Sequence, residues 1–346
     1  MDMKAAVLAG IDDLSLTRVA RPEPGPGEVL LKVEANTICG TDLRIISGAK
    51  TAGVRRGVIM GHEFAGRVEA VGEGVTVPVG AQATCSIVVS CQRCRRCLSG
   101  HEHLCENLVL FGYELDGGLA EYLLVPKVAM DHGNLMLVER ELPATTLALA
   151  EPVSCCLNGA RQVRVKPGDT VVVLGTGPIG LLHIALARLA GSTAIFASGR
   201  AGRLEPALAM GATEAFDLTG EALTREIMRR TDGRGADVVI VAVGDLALAN
   251  QALELAAIGG RVNYFAGFPK GSTTTFDPNL IHYKELNVGG GSNARRADVA
   301  LAVELLSSGR LDVAGVVSHE YPLDEVDAAI EAVRQRKGLK VAVRPG

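Results

Sequence analysis

The chain has 346 residues, a formal net charge of −4, eight cysteines and no tryptophan. Its length predicts two domains, because compact domains run to roughly 100–200 residues. With 48% hydrophobic and 21% charged residues it is not a disordered chain, and its acidic balance argues against a nucleic-acid or membrane partner. No targeting segment or bilayer-length apolar run is evident. We therefore expect a cytoplasmic protein whose cysteines are thiols or metal ligands.

Short apolar strands separated by Gly and Pro fill residues 1–150, for example at 29–33 and 64–71. Regularly spaced short strands predict an antiparallel β-rich domain. The stretch 91–105 interrupts this pattern, because it is polar, basic and rich in Cys and has no periodicity. It indicates a lobe that is held together by something other than an apolar core.

From about residue 165, short apolar strands alternate with helical patterns. The predicted strands are 170–174, 194–197, 238–243 and 261–265, and the predicted helices are 179–190, 204–210 and 246–257. This alternation predicts an α/β domain with a doubly wound parallel sheet. After about residue 285 the alternation loosens, and we expect helices at 299–307 and 326–334 and a final strand at 340–343.

A glycine-rich loop directly follows the first strand of this series and opens a helix. It has the pattern G-x-G-x-x-G and consists of Gly175, Thr176, Gly177, Pro178, Ile179 and Gly180. In this context the first glycine permits a tight turn, the second lets the backbone approach a pyrophosphate, and the third allows close helix–strand packing. The loop therefore predicts a dinucleotide cofactor.

The end of the next strand bears on the choice between NAD and NADP. A carboxylate that binds the ribose 2′-hydroxyl is expected about 20 residues after the loop. Here the strand runs into Ser198, Gly199 and Arg200, with Arg203 close behind, and no acidic residue occupies the corner. An arginine offers a bidentate partner for a 2′-phosphate, so the sequence favours NADP. NAD stays open if Arg200 and Arg203 are merely solvated residues at a helix start.

The lobe supplies four cysteines within 15 residues, Cys91, Cys94, Cys97 and Cys105. Four Cys ligands form the closed tetrahedral site of a structural zinc, whose binding would supply the lobe's folding energy. An iron–sulfur site and a redox pair are alternatives, although the Cys-Pro end of the ferredoxin motif is missing. We expect His101 and His103 to be surface residues rather than ligands. No recognition helix follows to indicate a nucleic-acid finger.

Three further patches contain metal-type residues: Cys39 to Asp42, His62-Glu63 and Glu151-Pro152. A Cys, a His and one or two carboxylates could form an open zinc site with a position left for water or substrate. Sequence spacing does not establish that these patches converge. Taken singly, Cys39 could be a buried apolar residue, His62 a core histidine and Glu151 a helix-start carboxylate.

The chain resembles the zinc-dependent medium-chain dehydrogenases/reductases over essentially its whole length. The segment 61–75 matches the zinc signature G-H-E-x2-G-x5-G-x2-V, and Cys-Gly-Thr-Asp, the four-Cys lobe and the glycine loop also match family motifs. Glu151-Pro152 and the segment 279–285 are most similar to sorbitol (iditol), threonine and related polyol dehydrogenases. The resemblance implies a GroES-like catalytic domain from 1–150 and 287–346 and a Rossmann domain at 151–286.

It also implies the residues of a catalytic centre. Cys39 and His62 would ligate the catalytic zinc, Glu63 would be a direct or exchanging ligand, and Glu151 would ligate the zinc or hydrogen-bond its water. Asp42 would orient the His62 imidazole. With the lobe, the expectation is two zinc ions per chain, a catalytic and a structural one.

Thr41 would hydrogen-bond the substrate oxygen and pass its proton outward. Classical alcohol dehydrogenases carry a proton-relay His three residues after this Thr or Ser. This chain has Arg44 at that position. The implied reaction is the reversible, NAD(P)-linked oxidation of a secondary alcohol or polyol, such as a sugar alcohol or cyclitol, to the ketone. The expected assembly is a homodimer or homotetramer.

Two other functions are weighed against this one. A zinc-free enone or quinone reductase of the same superfamily would lack the metal residues found here. A non-enzymatic zinc- or nucleic-acid-binding protein is opposed by the acidic net charge and by the open-site residues. Candidate walls of the substrate pocket are Arg44, Ile45, Tyr113, Glu114 and Asn293.

Overall fold

The computed structural model describes residues 1–346, which divide into two compact units. Unit 1 comprises Met1–Ser154, Asn293–Arg310 and Ala314–Gly346. Unit 2 comprises Cys155–Ser292 and Leu311–Val313. Unit 1 is therefore built from both ends of the chain, and unit 2 from its middle.

The amino-terminal part of unit 1 is mostly strand. Its strands are β1 (Asp2–Gly10), β2 (Asp13–Ala20), β3 (Val29–Thr37), β4 (Val58–Ile59), β5 (Glu63–Val71), β6 (Gln82–Cys85), β7 (Val88–Val89), β8 (Val109–Leu110), β9 (Tyr122–Val125) and β10 (Leu135–Leu137). Its helices are α1 (Gly40–Ile46), α2 (Arg95–Leu98), α3 (Lys127–Asp131) and α4 (Ala144–Ala148). Helix α5 (Ala150–Gln162) begins in this unit, and its later residues belong to unit 2.

Unit 2 alternates strands with helices. The strands are β11 (Thr170–Leu174), β12 (Ala194–Ser198), β13 (Glu214–Phe216), β14 (Ala236–Val241), β15 (Ala256–Tyr264) and β16 (Asn287–Gly290). The helices are α6 (Pro178–Leu189), α7 (Leu204–Ala209), α8 (Gly220–Arg230), α9 (Leu246–Leu255) and α10 (Pro278–Tyr283). All pairings in this sheet are parallel, in the order β13-β12-β11-β14-β15-β16. This is the strand order of a Rossmann fold, as predicted.

The carboxy-terminal elements return to unit 1. They are α11 (Arg296–Ser307), β17 (Val317–Pro322), α12 (Val326–Arg334) and β18 (Lys340–Arg344). Strand β18 pairs antiparallel with β3, so the main sheet has the order β10-β6-β5-β3-β18-β17, with β9 also on β3. The sheet is antiparallel as expected, except that β17 and β18 run parallel, because helix α12 lies between them in the chain.

Two apolar cores support these sheets. In unit 1 the core forms around Leu31, Phe64 and Val341, and in unit 2 around Val172 and Val239, all almost fully buried. The strand runs that are apolar at every position, such as β11, are buried along their whole length, as expected for a parallel sheet covered on both faces. None of the twelve α-helices combines the length and the apolar composition that crossing a lipid bilayer requires.

Candidate active site

The main sheet of unit 1 brings three of the predicted metal-ligating residues together. Cys39 lies directly before α1, and Glu63 begins β5, opposite Thr37 at the end of β3. This antiparallel register places His62 and Glu63 beside the β3–α1 turn. The possible ligand atoms of Cys39, His62 and Glu63 all lie within 4.8 Å of one another, an arrangement that fits a metal ion.

Asp42 holds two of these groups in place from the first turn of α1. One carboxylate oxygen accepts a hydrogen bond from the Cys39 backbone N–H (2.8 Å), and the other lies 3.0 Å from Nδ1 of His62. Burial lowers the pKa of His62, but the Asp42 carboxylate outweighs it and holds that pKa well above its usual value. Because Nδ1 faces the Asp42 carboxylate at 3.0 Å, Nε2 is the ring nitrogen that remains for a metal.

Glu63 has a partner that the sequence did not reveal. Lys340, the first residue of β18, places its ammonium 2.7 Å from Oε1 and 2.6 Å from Oε2 of Glu63, and the Thr37 hydroxyl donates to the same carboxylate. Both side chains of the ion pair are buried. Burial lowers the pKa of Lys340, yet the attraction of Glu63 leaves it above its usual value. Whether Glu63 ligates the metal stays a prediction, since its carboxylate already has two partners.

Replacing Lys340 with Met is expected to lower the free energy of unfolding by about 3 kcal/mol, because it leaves the Glu63 carboxylate buried without its cation. Chemical denaturation of the purified protein measures this loss. The double variant Glu63→Gln/Lys340→Met should recover most of it, because no buried charge remains.

The control for this ion pair is Lys127→Met. Lys127 forms an exposed pair with Asp131 on α3, and exposed pairs contribute about 1 kcal/mol or less. A Lys340→Met protein as stable as the Lys127→Met protein would contradict the importance of the buried pair.

The remaining predicted catalytic residues lie at helix starts of unit 1. Thr41 is in the first turn of α1, partly buried, and its hydroxyl makes no hydrogen bond within the chain. Glu151 is the second residue of α5, and its charge acts on Lys340 and Tyr113. It is not part of the three-residue cluster. Its role as a zinc ligand or water partner therefore stays a prediction.

The four lobe cysteines also converge. All are free thiols whose sulfur atoms lie within 4.8 Å of one another. Backbone N–H groups point at these sulfurs, including Cys91 N to Cys105 Sγ (3.2 Å) and Cys94 N to Cys91 Sγ (3.4 Å). The N–H groups of Arg93 and Cys94 lower the pKa of Cys91 to about 6. Such stabilisation of a thiolate fits the donor set of a tetrahedral metal.

The histidines of the lobe differ from the prediction in one case. His101 is exposed, but His103 is buried on the turn 102–104 rather than on the surface. Neither belongs to the four-sulfur cluster. The same turn is fastened to α11, because Glu102 accepts a hydrogen bond from the Arg296 backbone N–H (2.9 Å) and pairs with its guanidinium (2.8 Å). This contact draws the turn inward and accounts for a buried His103.

In unit 2 the glycine loop runs from β11 into α6, as predicted. Gly175 has φ +105°, which side-chain-bearing residues rarely adopt, and a Cβ on Gly180 would lie 1.8 Å from the Gly175 carbonyl oxygen. The Thr176 hydroxyl is buried and has no hydrogen-bond partner. A buried hydroxyl without a partner beside a glycine-lined helix N-terminus fits a bound dinucleotide.

The corner after β12 holds Ser198, Arg200 and Arg203. Ser198 is buried and donates its hydroxyl proton to the Leu218 carbonyl (2.7 Å), so it has no proton left for a ribose phosphate. Arg200 is exposed. Nη1 of Arg203 lies 3.5 Å from the place of a Cβ on Gly177, next to the phosphate loop. The two arginines, and not Ser198, are therefore the candidates at this corner for contact with a 2′-phosphate.

Two of the suggested pocket walls, Ile45 and Tyr113, can be placed relative to the core and the metal-type cluster. Ile45 and Tyr113 are both buried in the apolar core of unit 1, and their role as pocket walls stays a prediction. Tyr113 places its ring 5.5 Å from the His62 ring. The ammonium of Lys50, which the sequence did not single out, lies 4.8 Å from the centre of the Tyr113 ring.

Family models match both parts of the chain. The alcohol dehydrogenase GroES-like domain matches residues 25–132, and the zinc-binding dehydrogenase model matches residues 178–308. An L-threonine 3-dehydrogenase from Caldanaerobacter subterraneus is 34% identical over 94% of this chain and 93% of its own. A sorbitol dehydrogenase from Halalkalibacterium halodurans is 32% identical over 94% of each chain.

Solved structures show the same fold. A protein from Sinorhizobium meliloti named as a zinc-binding dehydrogenase, with NADP bound, has a TM-score of 0.93, is 35% identical and covers 100% of both chains. The alcohol dehydrogenase TADH from Thermus sp. has a TM-score of 0.89 and is 32% identical over 99% of both chains.

Proposed function

Because the chain belongs to the zinc-dependent medium-chain dehydrogenases, a family of alcohol oxidoreductases, we propose that it oxidises a secondary alcohol or polyol to the ketone with NADP⁺. The observation that carries this proposal is the convergence of Cys39, His62 and Glu63. The relatives named for threonine and sorbitol support a small hydroxylated substrate.

Cys39 and His62 would hold the catalytic zinc, with Glu63 or Glu151 as a further ligand. When bound, zinc supplies Lewis acidity that lowers the pKa of an alcohol hydroxyl, and NADP⁺ supplies the hydride acceptor. Asp42 fixes the orientation of the His62 imidazole through Nδ1.

Thr41 would take the substrate proton at its own hydroxyl, which no other group of the chain engages. The outward path of that proton does not continue through Arg44. A guanidinium has no lone pair to accept a proton and stays charged at neutral pH. Thr41 would therefore release its own hydroxyl proton toward solvent as its oxygen accepts the proton of the substrate.

The proposal has further parts. We assign the GroES-like domain to 1–150 and 287–346, close to the bounds of unit 1, and the Rossmann domain to 151–286, close to those of unit 2. Each chain holds two zinc ions, the second on Cys91, Cys94, Cys97 and Cys105. The enzyme works in the cytoplasm as a homodimer or homotetramer.

A panel of secondary alcohols, sugar alcohols, cyclitols and amino alcohols tests this function, with NADP⁺ and NAD⁺ in parallel. We expect reduction of NADP⁺ with at least one of them. Turnover of enones or quinones alone, in protein that has lost its zinc, would contradict the proposal.

Arg200 and Arg203 are expected to set the preference for NADP⁺. The double variant Arg200→Ala/Arg203→Ala should lower kcat/KM for NADP⁺ by about tenfold or more, because a phosphate loses its charged hydrogen bonds. The value for NAD⁺ should change little. The control is Arg225→Ala, which removes an exposed arginine of α8. Equal losses with both cofactors, or a wild-type preference for NAD⁺, would contradict the role of the two arginines. The NADP-bound Sinorhizobium protein supports this preference.

A further inference from the structure

Lys50 lies near the Cys39–His62–Glu63 cluster through the ring of Tyr113, and the exposed Arg44 acts on Lys50 as a neighbouring charge. Arg44 is in the last turn of α1, and the Lys50 backbone N–H donates to the Arg44 carbonyl (2.8 Å), which folds Lys50 back toward that helix. The Arg44 guanidinium and the Lys50 ammonium form no ion pair or hydrogen bond with another side chain of the chain. Most other charged side chains near the site are paired, so these two stand apart.

Tyr113 connects Lys50 to the metal-ligating residues. The centre of its buried ring lies 5.5 Å from that of the His62 ring. The Lys50 ammonium lies over the Tyr113 ring, 4.8 Å from its centre. A single aromatic ring therefore separates the ammonium from a proposed zinc ligand. A substrate whose hydroxyl reaches the cluster would have other atoms near this ring and this cation.

The charges around Lys50 are not balanced by the protein. Burial and the neighbouring Arg44 lower the pKa of Lys50, while Cys39 and Glu114 act in the opposite direction. Glu114 does not neutralise the ammonium by contact, because one of its oxygens accepts the Leu110 backbone N–H (2.9 Å) and no Glu114–Lys50 pair forms within 4 Å. Two like charges held together in this way favour the binding of an anion.

We propose that Lys50, together with Arg44, binds an anionic group, a carboxylate or a phosphate, on the alcohol substrate. The inference rests on the proposed function and narrows its substrate class to secondary alcohols that carry such a group. Lys50 would thus be a specificity-determining residue. The Tyr113 ring would keep its ammonium in place through the cation–π contact.

Matched pairs of alcohols separate this inference from the proposed function. The probes are 3-hydroxybutyrate with its neutral methyl ester, and sorbitol 6-phosphate with sorbitol, and NADP⁺ reduction is followed for each. We expect the wild-type enzyme to favour the anion in one pair by about tenfold or more in kcat/KM, a difference of about 1.4 kcal/mol. The pair that shows the preference identifies the carboxylate or the phosphate as the recognised group.

Lys50→Met should abolish that preference by raising KM for the anion, while kcat/KM for the neutral partner changes by less than about threefold, since only the charged contact is lost. Lys50→Arg should retain the preference. The control is Lys32→Met, which makes the same change of charge at an exposed position of β3 and should leave the preference intact.

Three results would overturn the inference. The first is equal kcat/KM for the anionic and neutral members of both pairs, which leaves the proposed function standing. The second is a Lys50→Met enzyme that still prefers the anionic substrate but has a raised KM for NADP⁺. Lys50 would then bind a phosphate of the cofactor rather than a group on the substrate. The third, no turnover with any alcohol of these pairs or of the wider panel, contradicts the proposed function as well.

Discussion

Replacing Cys39 with Ala is expected to lower alcohol oxidation at least about 1,000-fold, equivalent to about 4 kcal/mol of transition-state stabilisation. The physical reason is that the proposed zinc site would lose a thiolate, the strongest anionic ligand it offers. The Cys39 thiol lies within 4.8 Å of the ligand atoms of His62 and Glu63. Without it, the remaining imidazole and the Lys340-paired carboxylate form a poor site.

The measurement combines metal analysis with initial rates. Cys39→Ala protein should contain one zinc per chain where the wild type contains two, with the lobe zinc retained. The matched control is Cys85→Ala, which removes a buried thiol of β6 that belongs to neither cluster, and it should keep both zinc ions and its turnover. Unchanged zinc content and rate in Cys39→Ala would remove Cys39 from the catalytic centre.

Replacing Cys97 with Ala is expected to release the lobe zinc and to lower the thermal unfolding temperature by about 10 °C or more. Apart from the 102–104 turn, the lobe has little apolar packing, since helix α2 buries none of its residues. Without metal, the turn 102–104 would lose its position, and with it the Glu102–Arg296 contact to α11. The change in stability therefore extends beyond the lobe itself.

Calorimetry, zinc analysis and limited proteolysis test this second expectation together. New cleavage should appear between residues 91 and 107, and the catalytic zinc should be the one that remains. Leu98→Ala is the control inside the lobe, because that side chain is 76% exposed and contributes little packing. A Cys97→Ala protein that keeps its unfolding temperature and resists proteolysis would show that the lobe does not depend on metal.

The parts of the fold that follow a local pattern were predictable from sequence. The alternation between residues 170 and 265 indicates a parallel sheet because short, mostly apolar strands are separated by helical periods. The short strand β13 and the exposed strand β16 lack this signal and were not predicted. The four lobe cysteines and the glycine loop are close in sequence, so their spacing alone indicates their chemistry. Helix and strand ends shifted by a few residues, as for β14, observed at Ala236–Val241 and predicted at 238–243.

Contacts between distant residues could not be predicted in this way. Lys340 is 277 positions from Glu63, and only the pairing of β18 with β3 brings it there. A lysine directly before the apolar run Val341–Val343 was the available signal. Ile45 and Ser198 illustrate the same limit, because their environments depend on how α1 packs and where the Leu218 carbonyl lies.

The Lys50–Tyr113–His62 arrangement is also a product of tertiary structure. Its three members come from separate segments, and none of the sequence motifs includes Lys50. The metal-ligating pattern was therefore accessible from sequence, whereas the proposed role of Lys50 in substrate recognition required the structure.

The most direct test of the central claim is turnover measured against zinc content as a chelator removes metal from the wild-type enzyme. If zinc at Cys39, His62 and Glu63 carries the reaction, NADP⁺ reduction with a secondary alcohol should fall in proportion to the loss of one zinc per chain and return when Zn²⁺ is added back. Full turnover by protein that retains only the lobe zinc would contradict the assignment of this enzyme's chemistry to that cluster.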